Sequence, residues 1–140
     1  MLKGIDPLLG PELLGLLARA GHGDVIALVD RNYPAYSAGI PVMRLDGQDT
    51  TAAARALFSL LPLDTFVDQP VRAMAPGEGV EPPASHAEVI EVAQQAEGRA
   101  IALGTVERFD FYAQCRSAVA VVATTDDRPY SCFLLTKGVI

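Results

Sequence analysis

A three-layer α/β/α fold around a mostly parallel sheet is what this sequence predicts, on three observations. The runs Val25–Val29 and Val119–Ala123 are apolar at every position, as expected of strands covered on both faces. Strand-like runs alternate with helical periodicities along the chain, the order that builds a parallel sheet with helices on its faces. The length of 140 residues, with 50% hydrophobic and 20% charged, fits one domain, residues 1–140, with a substantial core.

Each element follows from local signals. Leu13, Leu14 and Leu17 form the apolar face of a first helix, opened by Gly10-Pro11-Glu12 with Pro11 suited to the first helical position. Gly21 can take the left-handed geometry that closes a helix, and Gly23 frees the backbone beyond His22. His22 is therefore expected on a turn, before the strand Val25–Val29. Asp30 falls at that strand's carboxyl end, where open α/β sheets bind ligands. Arg31–Ser37 is polar and Pro-broken, and reads as a loop over the mouth of the sheet. Val42–Leu45 is a second strand, and Thr51–Leu61 a helix with Ala54, Leu57, Phe58 and Leu61 on one side.

Leu63–Val67 leads to a strand at Val71–Ala75. Pro76–Ala84 holds three Pro and two Gly in nine residues and reads as a surface loop. Ser85 and Glu88 match a capping box for a helix with Val89, Ile90, Val92, Ala93 and Ala96 inside, ended by Gly98. His86, at that helix start, is expected to be exposed and inert. Ala100–Val106 is a strand, Phe109–Ser117 a short helix and Val119–Ala123 a strand turned by Thr125–Arg128. Tyr130–Leu135 then closes the sheet as the second arm of an antiparallel hairpin.

Composition excludes several function classes. A net charge of −6 and an aromatic content of 6% without Trp leave no basic patch or stacking platform for nucleic acid. No apolar run reaches membrane-spanning length and no signal peptide opens the chain, so a cytoplasmic location is expected. Cys115 and Cys132 are far apart and read as free buried thiols. No metal-ligand spacing occurs, and no cofactor is expected. Taken alone, a glycine-flanked His22 reads more readily as a structural or exposed residue than as a catalytic one. Asp30 equally fits a strand-end turn former, Arg108 a surface ion pair, and Tyr130 a strand-forming core residue. Asp24 and Glu107 read as solvated charges.

Three blocks carry further information. The first is Pro11-Glu12-Leu13-Leu14 with Gly21-His22-Gly23-Asp24 and Asp30 eight positions after His22. The second is Leu61-Pro62-Leu63-Asp64-Thr65-Phe66-Val67. The third is Glu107-Arg108-Phe109-Asp110-Phe111-Tyr112, followed by Tyr130 and by Lys137-Gly138-Val139. Together, and across essentially the whole chain, they resemble the RbsD/FucU sugar mutarotases, which interconvert anomers and ring forms of monosaccharides. Arg108 stands where the ribose pyranase branch usually carries histidine, so the chain looks most like the L-fucose mutarotase branch.

The resemblance implies that His22 is the catalytic proton donor and that Asp30 and Arg108 bind sugar. It implies the same for Tyr130-Ser131-Cys132, although relatives carry asparagine in place of Cys132. It further implies a homo-oligomer, a decameric ring with sites between subunits, whose small-molecule partner is a monosaccharide. D-ribose pyranase, a mutarotase for another sugar, and a non-catalytic sugar-binding regulatory protein remain as alternatives. Mutarotation opens a hemiacetal and closes it again with only protons exchanged with the protein, and a positioned imidazole, which ordinarily titrates near neutral pH, meets that need without a cofactor. If Tyr130 and Cys132 lie in one strand, its period of two puts both side chains on one face.

Overall fold

The computed structural model describes residues 1–140. Six strands, β1 (Val25–Val29), β2 (Val42–Leu45), β3 (Val71–Met74), β4 (Leu103–Val106), β5 (Ala120–Thr124) and β6 (Phe133–Thr136), form one sheet. Four α-helices, α1 (Pro11–Arg19), α2 (Thr50–Phe58), α3 (Ala84–Glu97) and α4 (Arg108–Cys115), cover it, with a 3₁₀ turn at Ala35–Ala38. The sheet order is β2-β5-β1-β6-β3-β4. β1 and β2 both pair parallel with β5, and β3 pairs parallel with β4. β6 alone runs against the rest, pairing antiparallel with β1 and with β3.

That order corrects the expected final hairpin. β5 and β6 are not neighbours, because β1 lies between them and pairs with both. The segment joining them must therefore cross the carboxyl end of β1, directly beside Asp30. β6 is also shorter than expected, starting at Phe133 rather than Tyr130.

The strand pleat sends alternate side chains to opposite faces, and the two faces carry two separate apolar clusters. Ile26, Leu28, Val122 and Phe133 pack with Leu13, Leu57 and Val89, so α1, α2 and α3 cover one face. Ala27, Val29, Val121 and Leu134 pack with Phe111 and Cys115 of α4 and with Ala35 on the other. A helical layer thus covers each face, which is why the two apolar strands β1 and β5 carry no polar alternation. No helix is long and apolar enough to cross a membrane.

Several local expectations need correction. Gly21 does not take the left-handed region; α1 ends at Arg19 with an extended Ala20, and Gly23 (φ 83°) makes the turn. Asp24 is no free solvated charge but closes that turn by accepting from the Gly21 amide at 2.7 Å. α2 begins at Thr50 because the Asp49 side chain caps the Ala52 amide. Glu107 likewise caps α4 through the amides of Phe109 and Asp110. The capping box at Ser85 and Glu88 does not form. Pro83 is the N-cap of α3, and both side chains are committed elsewhere.

Candidate active site

All five parallel strands end at one edge of the sheet, and β6 begins there. The edge therefore gathers Asp30 after β1, Met74 at the end of β3, Arg108 after β4 and Cys132 ahead of β6. A cavity of about 270 Å³ lies among these residues, walled also by Asn32, Tyr33, Tyr112, Pro129 and Tyr130. One of the Asp30 carboxylate oxygens accepts from the amides of Asn32 (2.9 Å) and Tyr33 (3.1 Å), a local turn that aims the carboxylate at the strand end. Burial pushes the Asp30 carboxyl above the usual range, against these amides and the neighbouring Cys132 thiol, which pull it down. Arg108 is exposed at the first position of α4, its guanidinium carbon 4.7 Å from the centroid of the Phe109 ring. The chemistry on offer is a carboxylate acceptor and a guanidinium donor facing an apolar wall of Met74, Tyr112 and Cys132.

The Tyr130-Ser131-Cys132 segment does not behave as a strand. Tyr130 is the one non-glycine residue with positive φ, at 64°. The left-handed region costs a side-chain-bearing residue about 1–2 kcal/mol. The period-of-two argument therefore fails, yet Tyr130 and Cys132 both reach the cavity because the left-handed turn swings Tyr130 back toward it. Ser131 does not line the cavity; it is fully buried with its hydroxyl against that of Ser85 at 2.6 Å. Tyr130 and Arg108 also border a second depression of about 400 Å³ lined by Pro76, Gly77, Glu78 and Phe109, so Tyr130 stands between the two. Burial pushes the Cys132 thiol well up, reinforced by the charge of Asp30, so it stays protonated.

His22 is elsewhere. It precedes β1 whereas Asp30 follows it, and five strand residues separate the two ends by about 17 Å. His22 and Asp30 thus sit at opposite edges of the sheet. At its own edge His22 donates from Nε2 to an Asp64 carboxylate oxygen at 3.0 Å, with the His22 side chain 44% exposed and that of Asp64 3%. The Phe66 amide at 3.0 Å, and after it His22, hold the Asp64 carboxyl below its usual range. Phe66 also packs its ring on the imidazole, centroids 5.1 Å apart.

Asp64 is the functional candidate that reading the sequence left unassigned. It lies inside the block Leu61–Val67, the one charged residue of a mostly apolar run, and that is the available signal. Its backbone is fixed from three sides. The Asp64 amide donates to Thr136, Arg99 Nη2 donates to the Asp64 carbonyl at 3.2 Å, and Glu97 accepts from the Leu63 amide at 2.8 Å. A Cβ on Gly138 would lie 2.7 Å from the Asp64 Cα and from the Leu63 carbonyl oxygen, so only glycine permits this approach. The glycine of Lys137-Gly138-Val139 thus has a stated task.

The model of the RbsD / FucU transport protein family matches residues 3–140. The chain belongs to the RbsD/FucU family. Within it, the fucose mutarotase of Homo sapiens is 42% identical, the match covering 99% of this chain and 94% of that protein. The crystal structure of the fucose mutarotase from Streptococcus pneumoniae in complex with L-fucose superposes with a TM-score of 0.93 at 32% identity, covering 99% of each chain. The Bacillus subtilis RbsD complexed with D-ribose shares the fold at a TM-score of 0.73 and 22% identity, over 100% of this chain and 99% of that one. The RbsD/FucU fold is therefore common to both branches, with the larger structural likeness to the fucose member.

Proposed function

We propose that this protein is a monosaccharide mutarotase acting on L-fucose or a closely related sugar, and that its active site is completed by a second copy of the chain. It is an isomerase. The anomeric hydroxyl loses its proton while the ring oxygen gains one, the bond between C1 and the ring oxygen breaks, and the open aldehyde recloses on either face. Asp30 accepts from sugar hydroxyls and Arg108 donates to them, which fixes the ring in the cavity. Tyr130 covers one side. His22 performs one of the two proton transfers and works in the opposite sense on closure. Asp64, by accepting from Nε2, leaves Nδ1 as the nitrogen that exchanges the proton.

What supports a composite site is the separation of its two halves along β1. Neither half is complete: the His22–Asp64 pair lacks the guanidinium donor, and the Asp30 cavity lacks an imidazole. Exposed apolar side chains flank both, Phe66 (74% exposed) beside His22 and Phe109 (63%) beside Arg108, as surfaces meant to be covered are. A homo-oligomer with sites between subunits, on the decameric plan implied by the resemblance, brings the halves together, and we place it in the cytoplasm. Cys132 makes the sugar wall smaller and less polar than asparagine would, in keeping with a sugar that carries a methyl group there.

Co-expression of two disabled chains tests this directly. His22→Ala and Arg108→Ala are each expected to lower exchange strongly on their own. In mixed oligomers, random pairing regenerates about one quarter of intact sites, the outcome expected for heterologous interfaces. Saturation-transfer NMR of anomer exchange reads it, and mixtures as inactive as either parent would show that each chain carries its own site. Cys132→Asn shifts the ranking of fucose, galactose, ribose and arabinose toward the more hydroxylated sugars; an unchanged ranking excludes the side chain from the wall.

A further inference from the structure

The amino-terminal end of α3 reaches across to the segment that carries Tyr130. His86, expected to be exposed, is 4% exposed and donates from Nε2 to the Tyr130 carbonyl at 2.8 Å. Its ring meets Phe133 edge-on, centroids 5.6 Å apart. Ser85, fully buried, shares a 2.6 Å hydrogen bond with Ser131. One helical turn on, Glu88 accepts from Arg128 Nη1 at 2.7 Å. Neither Ser85 nor His86 lines the cavity.

We propose that His86 and Ser85 are positioning residues for sugar binding. They hold Tyr130 in its left-handed conformation, and so set the wall that Tyr130 and Cys132 present to the ring. A non-glycine residue leaves that conformation for the extended region unless its surroundings over-determine it. Here the restraint is visible: the Tyr130 carbonyl is gripped by His86, the next side chain by Ser85, and the Ser131 amide donates back to Arg128 at 3.3 Å. Without the grip, Tyr130 relaxes, its Cα–Cβ bond rotates, and the ring leaves the partition between the two depressions. This inference rests on the reading of the Asp30 cavity as the sugar site.

The test uses full-length protein, L-fucose titration and anomer-exchange kinetics. His86→Leu removes the donor, whereas His86→Gln offers a side-chain N–H at similar reach. His86→Leu is expected to raise KM and Kd about tenfold, the scale of one lost buried hydrogen bond, with kcat little changed. His86→Gln is expected to restore most of the affinity, a rescue that general destabilisation would not produce. Wild-type affinity in folded His86→Leu, or equal losses in both variants, overturns the proposal. Should His86→Leu fail to fold, Ser85→Ala decides, with several-fold weaker binding expected and unchanged binding overturning it. Arg108→Ala is the control for the site itself. If it leaves affinity intact, the site reading falls and this proposal with it; if only Arg108→Ala weakens binding, the positioning role alone falls.

Discussion

An imidazole tied to a carboxylate has one nitrogen committed and one available, and that division is the main asset of His22. The Asp64 carboxylate is buried, and a backbone amide and His22 both donate to it, so the ring is held in one tautomer and orientation. His22→Ala is expected to slow anomer exchange by roughly two to four orders of magnitude, the usual contribution of a general acid–base group, with sugar affinity nearly unchanged. Asp64→Asn should lower kcat as well, by about ten- to a hundredfold, while leaving KM in place. Saturation-transfer NMR with a parallel titration separates the two parameters; a change in KM alone would move Asp64 from the chemistry to binding. His22 and Asp30 were legible because glycines and a strand end frame them. Asp64 was not, since its partner lies 42 positions away. The burial of His86 is hidden for the same reason: Pro and polar neighbours surround it in sequence, while Phe133 and the Tyr130 carbonyl surround it in space.

α3 holds both edges of the sheet. Its first turns grip residues 128–131, and Glu97 at its far end, with Arg99 just beyond, grips Leu63 and Asp64. The segment before β6 is anchored further by Asp126, which accepts from the Thr50 amide and hydroxyl and from Arg128. Burial alone would raise the Asp126 carboxyl, but Arg128 and the Thr50 donors outweigh it and hold it well below the usual range. Burial pushes the His86 imidazole down from 6.5, against the Tyr130 carbonyl. In both cases the unfolded chain binds protons at higher pH than the native one, so stability rises with pH. Thermal melts should therefore weaken in two stages, first below about pH 6.5 as unfolded His86 protonates, then below about pH 4 as Asp126 does. His86→Gln should lose the upper stage; a melt curve identical to wild type there would assign that stage elsewhere. Gly138→Ala forces a methyl against backbone of Leu63 and Asp64 and should cost about 1–3 kcal/mol, with a lower kcat from a displaced Asp64. Wild-type kcat and melting temperature together would mean the strand end yields freely. The helix itself was readable from its apolar spacing; what Ser85 and Glu88 bind was not, because a capping pattern and a tertiary contact use the same side chains.

At the level of the complete chain, alternation of strands and helices predicted the layers, and they are present. Strand order was not legible. Nothing in Phe133–Thr136 marks it as a central strand rather than a hairpin arm, because both are short apolar runs. The reversal of β6 brings Cys132 to the carboxyl edge and Lys137 and Gly138 to the other, so one strand connects the Asp30 cavity to the seat of Asp64. The two half-sites were legible as motifs, while their distance was not, since motif spacing is silent about which end of a strand a residue occupies. The composite arrangement we propose rests on that distance, and the mixed-oligomer experiment bears on it directly.

The central place of β6 also governs how the chain acquires its structure during synthesis. The five preceding strands can associate only as two separate ribbons, β2-β5-β1 and β3-β4, each with an unsatisfied backbone edge. Residues 133–136 must leave the ribosome before those ribbons join, so the sheet cannot close until β6 has emerged. Nascent chains arrested with β5 emerged but β6 still in the exit tunnel should be cut readily by added protease, and chains arrested after full emergence should resist. Resistance at the earlier arrest point would mean that the ribbons are stable alone and that β6 merely docks between them.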